Sequence, residues 1–329
     1  MRGFWVKWSP NSPGSDAVKT RTEPGNPEAE KYLKDLQLIT NNRLGETRNQ
    51  GLSLRSISLR DIVRIDYQEV IKSIGVYVEG FVEESGVDKF VLGLSGGVDS
   101  TTLLYLLSRL VESDKIIGLI MPDTRTTPIE DVEDAVRVAK NLGVKYYVIP
   151  IDTIVDSYGV APFYDPLEKL ATGNLRARVR ANLLYYYANK YGALVVGSSD
   201  RSELLIGYFT KYGDGAADLY PISSLYKTQV KELAKYLGVP GEIIRKPSAP
   251  RLWKNHTVEG ELGLNYETID LALYALFDLN LSIEEAAKAT GLPVGVIDRV
   301  LKMHRSTRHK RIGLKTPVLP WLPQAIKEI

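Results

Sequence analysis

Apolar and polar positions in the central part of the chain alternate between two patterns. Four short apolar runs are typical of buried strands, and they lie at Lys89–Leu94, Lys115–Met121, Lys145–Ile151 and Ala193–Gly197. Between them apolar residues recur every three or four positions, which predicts helices at Ser100–Glu112, Pro128–Leu142 and Asn174–Tyr191. This alternation predicts an α/β fold, a Rossmann-like doubly wound parallel sheet with helices on both faces. Ligands of such sheets bind at the carboxyl ends of the strands.

Helical periodicity continues on both sides of this region. It predicts a helix from Ile65 to about Gly86, and a helical C-terminal region with Thr228–Leu237, Tyr266–Leu276, Ser282–Thr290 and Pro293–Met303. The residues before Ile65 have no sustained period and are rich in proline, which is typical of disorder. We therefore expect a disordered or dispensable extension over residues 1–62, one folded domain over residues 63–311, and a proline-rich tail over residues 312–329.

The composition narrows the class of protein. A chain of 329 residues with 44% hydrophobic and 25% charged content is typical of a soluble globular protein. A formal net charge of +2 provides no overall field that would attract nucleic acid or a membrane. No apolar run could span a bilayer and no secretory signal pattern is present, so we expect a cytoplasmic protein. The chain contains no cysteine, which excludes disulfides, thiolate metal sites and cysteine nucleophiles.

A glycine-rich loop follows the first predicted strand. The sequence Ser95-Gly96-Gly97-Val98-Asp99-Ser100 leads directly into a helix. Two glycines let the backbone turn tightly, so that successive N–H groups and the helix N-terminus can face one phosphate group. The Asp99 carboxylate would repel phosphate unless a cation lay between them, and Mg²⁺ favours one or two carboxylates together with phosphate oxygens. The alternative is a purely structural turn capped by serines.

Further motifs follow in a fixed order along the chain. Glu203, just after the fourth predicted strand, could complete the Mg²⁺ site begun by Asp99. The other strings are NLRARVR at Asn174–Arg180, GYFTKYGDGAAD at Gly207–Asp218, LYKTQV at Leu225–Val230 and KPSA at Lys246–Ala249. Together with the loop at Ser95–Ser100 they resemble the NAD synthetase family of ATP pyrophosphatases, over roughly residues 65–310.

This resemblance implies roles for individual residues. ATP would be held by the loop and by three later side chains, a set made up of Gly93, Leu94, Ser95, Gly96, Gly97, Val98, Asp99, Ser100, Ser198, Lys227 and Ser248. Mg²⁺ would be bound by Asp99 and Glu203. The second substrate, deamido-NAD, would be contacted by Arg178, Lys211, Asp218, His309 and Lys310. Catalysis would rest on Asp99, on Lys227 beside the triphosphate, and on Asp214 near the reacting centre.

The implied activity is a ligase reaction of NAD biosynthesis. ATP adenylates the nicotinate carboxylate of deamido-NAD, and ammonia then displaces AMP, so that NAD, AMP and pyrophosphate are the products. Glutamine-dependent relatives carry an additional amidase domain with a cysteine nucleophile, and this chain has no cysteine. We therefore expect free ammonia as the nitrogen source. The resemblance also implies a homodimer, for which the apolar helical segment Asn182–Tyr187 offers a surface. No nucleic-acid or membrane partner is expected.

The chain departs from the family pattern at two places, and other functions remain open. Val258-Glu259 stands where the family usually has Asp-Glu, and the tail is altered over Arg311–Pro317. One alternative is another amide-forming ATP pyrophosphatase. The other is a helix-turn-helix DNA-binding protein, suggested by Ser282–His304. The second helix of that pair begins with the apolar run Pro293–Ile297, whereas base reading needs polar side chains there.

Overall fold

A four-stranded parallel sheet forms the centre of the protein, whose computed structural model describes residues 56–313. The strands are β1 (Phe90–Gly93), β2 (Ile116–Ile120), β3 (Lys145–Val148) and β4 (Leu194–Val196). Their spatial order is β3-β2-β1-β4, and Phe90 of β1 lies opposite Ile116 on one side and Leu194 on the other. The four predicted strands are confirmed, each somewhat shorter than its apolar run.

Helices precede, connect and follow these strands. They are α1 (Leu59–Val63), α2 (Tyr67–Ser85), α3 (Val98–Leu110), α4 (Ile129–Asn141), α5 (Asp152–Asp156), α6 (Lys169–Tyr191), α7 (Arg201–Ile206), α8 (Lys227–Leu237), α9 (Gly241–Ile244), α10 (Val258–Leu262), α11 (Tyr266–Leu273), α12 (Ile283–Thr290), α13 (Val294–Ser306) and α14 (Arg308–Arg311). Across residues 56–313, none of these helices has the length and apolarity that a membrane span requires.

Both faces of the sheet are covered by helices. On one face Phe90 and Leu92 of β1 pack in a cluster with Leu103 of α3. On the other face Val91 packs in a cluster with Val179 of α6. Alternate residues of β1 therefore serve opposite layers, as the pleat of a strand requires. Burial on both sides explains why the strands are apolar throughout, and the doubly wound architecture is confirmed.

The edge strand β3 differs from its prediction. Tyr147 is 40% and Val148 is 44% exposed, so the expectation of a buried strand over Lys145–Ile151 is wrong for the isolated chain. Ile151 is fully buried, but it lies beyond the end of the strand. The reason is the strand order, because β3 has β2 on one side and no strand from residues 56–313 on the other. The Tyr147 ring lies 6.2 Å from that of Tyr187 on α6.

The start of the folded domain lies earlier in the chain than expected. Ile62 on α1 is 1% exposed and belongs to the apolar cluster of the C-terminal helices. Its carbonyl oxygen accepts a hydrogen bond of 2.8 Å from Gln229 Nε2 on α8. Residues 57–63 therefore pack on the core. The folded domain includes residues 57–62, which the sequence analysis assigned to the N-terminal extension. Residues 1–55 and 314–329, the rest of the expected extension and most of the tail, lie outside the described residues.

The helix pair α12–α13 uses its apolar residues for packing. Ala286 and Ile297 are fully buried in the cluster that also contains Ile269 of α11. At the start of α13, Val294 is apolar and 52% exposed. A recognition helix would present polar side chains at that end. The pair is therefore part of the C-terminal helical core, and the helix-turn-helix alternative is not favoured.

Candidate active site

A cavity of about 400 Å³ opens at the carboxyl ends of the strands. The strand order reverses at this point, because β2 and β3 lie on one side of β1 while β4 lies on the other. In open α/β sheets the crevice at such a reversal is the usual place for a ligand. The loops after β1 and β4 both line the cavity, with Ser95 in the first and Ser198 in the second.

Hydrogen bonds between its own residues close the loop after β1. Ser95 Oγ lies 3.0 Å from Ser100 Oγ. Ser95 Oγ also accepts a 3.2 Å hydrogen bond from Gly97 N. Gly97 is the N-cap residue of α3 and contributes no side-chain cap. The first N–H groups of α3 are therefore available to an anion in the cavity, as the phosphate-loop prediction requires.

Gly96 holds this loop directly against α4. Its φ of +75° is in the left-handed region, and a Cβ built on it would lie 2.0 Å from the carbonyl oxygen of Asp131. Lys246 fastens the same contact, since its Nζ is 3.2 Å from Gly96 O and 2.7 Å from Asp131 Oδ1. The loop is thus fixed between α4 and the segment that follows α9.

Lys227, the first residue of α8, is fully buried among three carboxylates. Its Nζ lies 2.7 Å from Asp99 Oδ2, 2.8 Å from Asp200 Oδ2 and 2.9 Å from Glu203 Oε1. Burial raises the pKa of Asp200 and of Glu203 above their usual values, although the Lys227 charge opposes this. Burial disfavours the ammonium as well, but the three carboxylates outweigh that effect and raise the pKa of Lys227.

The predicted meeting of Asp99, Glu203 and Lys227 is therefore observed, together with a fourth group. Asp200 is the N-cap residue of α7, and its side chain accepts a 2.8 Å hydrogen bond from Glu203 N. Sequence reasoning did not single it out. An aspartate followed by a glutamate three residues later, just before an apolar run, is a signature of a helix N-terminus, and that signal could have placed Asp200 beside Glu203.

The carboxylates around Lys227 fit a Mg²⁺ ion that is bound together with phosphate. Asp99 Oδ1 is buried and has no hydrogen-bond partner. Among the described residues no set of three or more histidine and acidic side chains is arranged as a metal site. In the cluster around Lys227, the ammonium itself lies between the three carboxylates. Mg²⁺ needs only one or two carboxylates when phosphate oxygens complete its shell, so Asp99 and Glu203 suffice.

Two of the residues assigned to the chemistry and the second substrate, Asp214 and Lys310, line the cavity. Lys310 Nζ donates to the carbonyl oxygens of Gly207 at 2.8 Å and Phe209 at 2.7 Å. Asp214 Oδ1 accepts a 2.8 Å hydrogen bond from Thr210 N, which fixes the turn of the glycine-rich loop. Ser248, assigned to ATP, also lines the cavity.

Other residues assigned to the second substrate do not reach the cavity wall of a single chain. These residues are Arg178, Lys211, Asp218 and His309. Arg178 Nε donates to Lys211 O at 3.3 Å. Asp218 Oδ2 accepts from Val195 N at 2.7 Å, so within one chain this carboxylate extends the hydrogen bonding of β4. Within one chain these four side chains therefore lie away from the cavity wall.

Arg180, two residues after Arg178 on α6, lines the cavity. Its Nε donates to Met121 O at 2.9 Å, and burial lowers its pKa to about 10. The helical period explains the difference, because residues four apart share a face of α6 whereas residues two apart point to nearly opposite sides. Arg176 and Arg180 therefore face inward, and Arg178 is exposed.

The segment between α9 and α10 covers one side of the cavity and was largely missed by the sequence reasoning. Arg251 Nε binds Asp131 Oδ2 at 3.0 Å, which ties the segment to α4. The rings of Trp253 and His256 stack with centroids 3.4 Å apart. His256 Nε2 lies 2.7 Å from Glu261 Oε2, and burial lowers the pKa of this histidine. These side chains stand outside the recognised motifs.

Comparison with known proteins identifies the family. The family model described as NAD synthase matches residues 70–313. The chain belongs to the NAD synthase family. The NH(3)-dependent NAD(+) synthetase of Hyperthermus butylicus is 57% identical over 255 residues, which cover 78% of this chain and 92% of that protein. The enzyme of the same name from Staphylothermus marinus is 50% identical over 273 residues, covering 83% of this chain and 99% of that protein.

A solved structure gives the same result for the fold. The NMN synthetase of Francisella tularensis superposes with a TM-score of 0.67 at 30% identity, covering 78% of this chain and all of that chain. The family inferred from the motifs and the fold class inferred from the alternation of predicted strands and helices are therefore confirmed. Val258, where the sequence departs from the family pattern, has a structural role. Its side chain is 2% exposed, and its backbone N–H donates a 3.0 Å hydrogen bond to Ser248 O.

Proposed function

We propose that this chain is an ammonia-dependent NAD synthetase, a ligase that amidates deamido-NAD at the expense of ATP in the cytoplasm. The observation that carries the proposal is the cluster of Lys227, Asp99 and Glu203 beside the loop at Ser95–Ser100, at the strand-order reversal. A phosphate loop next to a fixed ammonium and carboxylates suits a reaction that separates pyrophosphate from ATP.

The first step transfers AMP to the substrate. A carboxylate oxygen of the nicotinate group attacks the α-phosphorus of ATP, and the bond to the β-phosphate breaks with its electron pair leaving on pyrophosphate. The N–H groups at the start of α3 and the hydroxyls of Ser95, Ser198 and Ser248 would hold the nucleotide. The Lys227 ammonium would stabilise the charge that develops on pyrophosphate. Asp99 and Glu203 would bind Mg²⁺, which neutralises phosphate charge when bound.

The second step forms the amide. The nitrogen of ammonia attacks the activated carbonyl carbon, the bond to the AMP oxygen breaks with its electron pair leaving on AMP, and a nearby base accepts the proton that the nitrogen loses. Adenylation makes this possible because AMP is a far better leaving group than oxide. Asp214, which lines the cavity together with Lys310, would interact with the incoming nitrogen or accept its proton. The protein contributes mainly position and charge stabilisation.

We also propose a homodimer in which residues of both subunits contact the second substrate. Arg178, Lys211, Asp218 and His309 would then meet a dinucleotide across the subunit boundary. Large apolar side chains are exposed on and before α6, at Val160 (91%), Phe163 (88%), Leu167 (85%), Leu170 (64%) and Tyr186 (69%). Such exposure in a soluble protein favours a buried interface. Leu167→Asp should therefore give a monomer in analytical ultracentrifugation, whereas a wild-type monomer with full activity would contradict the dimer.

The decisive assay for the activity is product analysis with purified protein, ATP, Mg²⁺, deamido-NAD and ammonium. We expect NAD, AMP and pyrophosphate in equal amounts. Accumulation of ADP in place of AMP would overturn the proposal. Two parallel reactions define the substrates: glutamine in place of ammonium should give far slower turnover, and nicotinate mononucleotide in place of deamido-NAD should be a poor acceptor. Faster turnover with either replacement would refute that part of the assignment.

A further inference from the structure

A buried carboxylate outside the cavity connects α7 and α8, two of the helices that contribute to the Lys227 cluster. Asp270 on α11 has no exposed surface. Its Oδ1 accepts a 2.5 Å hydrogen bond from Ser202 Oγ on α7, and its Oδ2 accepts a 2.9 Å hydrogen bond from Thr228 N on α8. Ser202 Oγ in turn accepts a 2.9 Å hydrogen bond from Lys227 N. One side chain of the C-terminal region thus holds the first turns of both helices together.

Packing alone does not explain a carboxylate at this position. No cationic side chain of residues 56–313 forms a salt bridge with Asp270, and burial raises the pKa of this carboxyl although the more distant Lys227 charge opposes the shift. Burying a charge without a directly paired partner costs several kcal/mol. An apolar side chain of similar size would fill the same space more favourably. What the carboxylate provides is two directional hydrogen bonds, and its negative charge is also favoured at the N-terminus of α8.

A second residue on the same face of α11 contacts the cluster directly. Tyr266 and Asp270 are four residues apart and therefore share one side of the helix. The ring centroid of Tyr266 lies 4.9 Å from Lys227 Nζ, and its hydroxyl lies 3.4 Å from Glu203 Oε1. One face of α11 thus forms the wall behind the Lys227 ammonium. The motifs after β1 and β4 did not indicate any contribution from this helix.

We propose that Asp270 is a positioning residue for the adenylation step. It fixes α7 against α8, so that the ammonium of Lys227 and the carboxylate of Glu203 keep their relative positions. This inference rests on the proposed function, because it assumes that Lys227 acts on the triphosphate. Asp270 itself does not touch the substrate. A displacement of about 1 Å in such a group can lower a rate about 100-fold, so loosening this connection should slow the chemistry more than it weakens binding.

The test is Asp270→Asn, measured by kcat, KM for ATP and thermal melting. One oxygen of the carboxylate becomes an NH₂ group, which cannot accept the hydrogen bond that this oxygen received. We expect kcat to fall about 30- to 100-fold while KM for ATP changes less than about threefold. Val300→Ala is the stability control, because Val300 is fully buried in the C-terminal helical cluster. It should lower the melting temperature and leave kcat unchanged.

A second variant approaches the same connection from α7. Ser202→Ala removes the hydroxyl that links Asp270 to Lys227 N, and we expect a fall in kcat of about tenfold, again with little change in KM. Because both changes break one connection, the double variant should be no slower than Asp270→Asn alone. If Asp270→Asn is insoluble, the inference is tested with Ser202→Ala alone, by its kcat, its KM for ATP and its melting temperature.

The outcomes separate this inference from the proposed function. If the wild-type protein makes no NAD, the proposed function itself fails. If the wild-type protein is active, the inference is overturned when Asp270→Asn keeps the wild-type kcat. It is also overturned when kcat falls no further than in Val300→Ala at an equal loss of melting temperature, or when the effects of Asp270→Asn and Ser202→Ala multiply.

Discussion

Replacing Gly96 by alanine tests the close contact between the phosphate loop and α4. The new Cβ would lie 2.0 Å from Asp131 O, whereas carbon and oxygen atoms in contact are usually about 3.3 Å apart. The loop and α4 would therefore have to separate by about 1.3 Å. The φ of +75° adds strain of roughly 1–2 kcal/mol for alanine, and overpacking adds about 1–3 kcal/mol. We expect Gly96→Ala to lower the free energy of unfolding by about 2–5 kcal/mol.

The same displacement should affect activity. It would move the N–H groups proposed to bind the phosphates and break the 3.2 Å contact of Lys246 Nζ with Gly96 O. A shift of about 1 Å in such groups corresponds to about a 100-fold loss of kcat. Urea denaturation gives the stability, and the rate of AMP release gives kcat, both measured on wild-type and variant protein at one pH.

Gly86→Ala is the matched control for Gly96→Ala. Gly86 has a φ of +68°, but no atom lies within 4 Å of a Cβ built on it. This variant should show only the cost of the left-handed backbone and retain wild-type kcat. The reasoning is refuted if Gly96→Ala loses no more stability than Gly86→Ala, or if it retains wild-type turnover.

Three further outcomes follow from the geometry. Asp99→Asn should keep the melting temperature within a few degrees but lose most activity, because an amide cannot neutralise a cation; ordinary turnover at millimolar Mg²⁺ would show that the acid is structural. Burial alone would raise the pKa of Asp123, but its hydrogen bonds from Arg125 and Arg176 outweigh this and hold the pKa well below the usual value. This stabilisation is complete above the unfolded pKa of about 4 and is lost as the pH falls below it. Asp123→Asn should therefore reduce the free energy of unfolding by about 3–5 kcal/mol at pH 7 and flatten its dependence on pH below about 5, and a pH-independent wild-type stability in urea would contradict this. Removal of residues 1–55 should leave ammonia-dependent turnover unchanged, and an insoluble or inactive product would show that the segment packs on the core.

Local patterns predict the sheet and the phosphate loop because both depend on neighbouring residues. An apolar run that is buried on two faces and a Gly-Gly turn before a helix are readable over fewer than ten positions. The cluster around Lys227 is different, because Asp99, Asp200 and Lys227 come from three separate places in the chain. The family motifs drew attention to two of them. The third, Asp200, meets Lys227 because the fold places the N-cap of α7 beside the start of α8.

The position of Arg178 away from the cavity wall has a simple origin. The three arginines of the string NLRARVR lie on α6, and the helical period decides which of them face the interior. One turn of an α-helix has 3.6 residues, so Arg176 and Arg180 share a face and Arg178 does not. By contrast, no short-range pattern could reveal Asp270. Its hydrogen-bond partners Ser202 and Thr228 are separated from it by 68 and 42 residues along the chain.

The ammonium of Lys227 has a consequence for how this protein depends on metal. Many metal sites gather carboxylates that repel one another until an ion arrives, and their domains unfold when a chelator removes it. Here a lysine that belongs to the chain lies among the three acids at 2.7–2.9 Å. The scaffold therefore holds its own counterion before any ligand enters. A divalent ion would then travel with the nucleotide as part of the substrate, and a chelator should stop turnover while leaving the melting curve where it was.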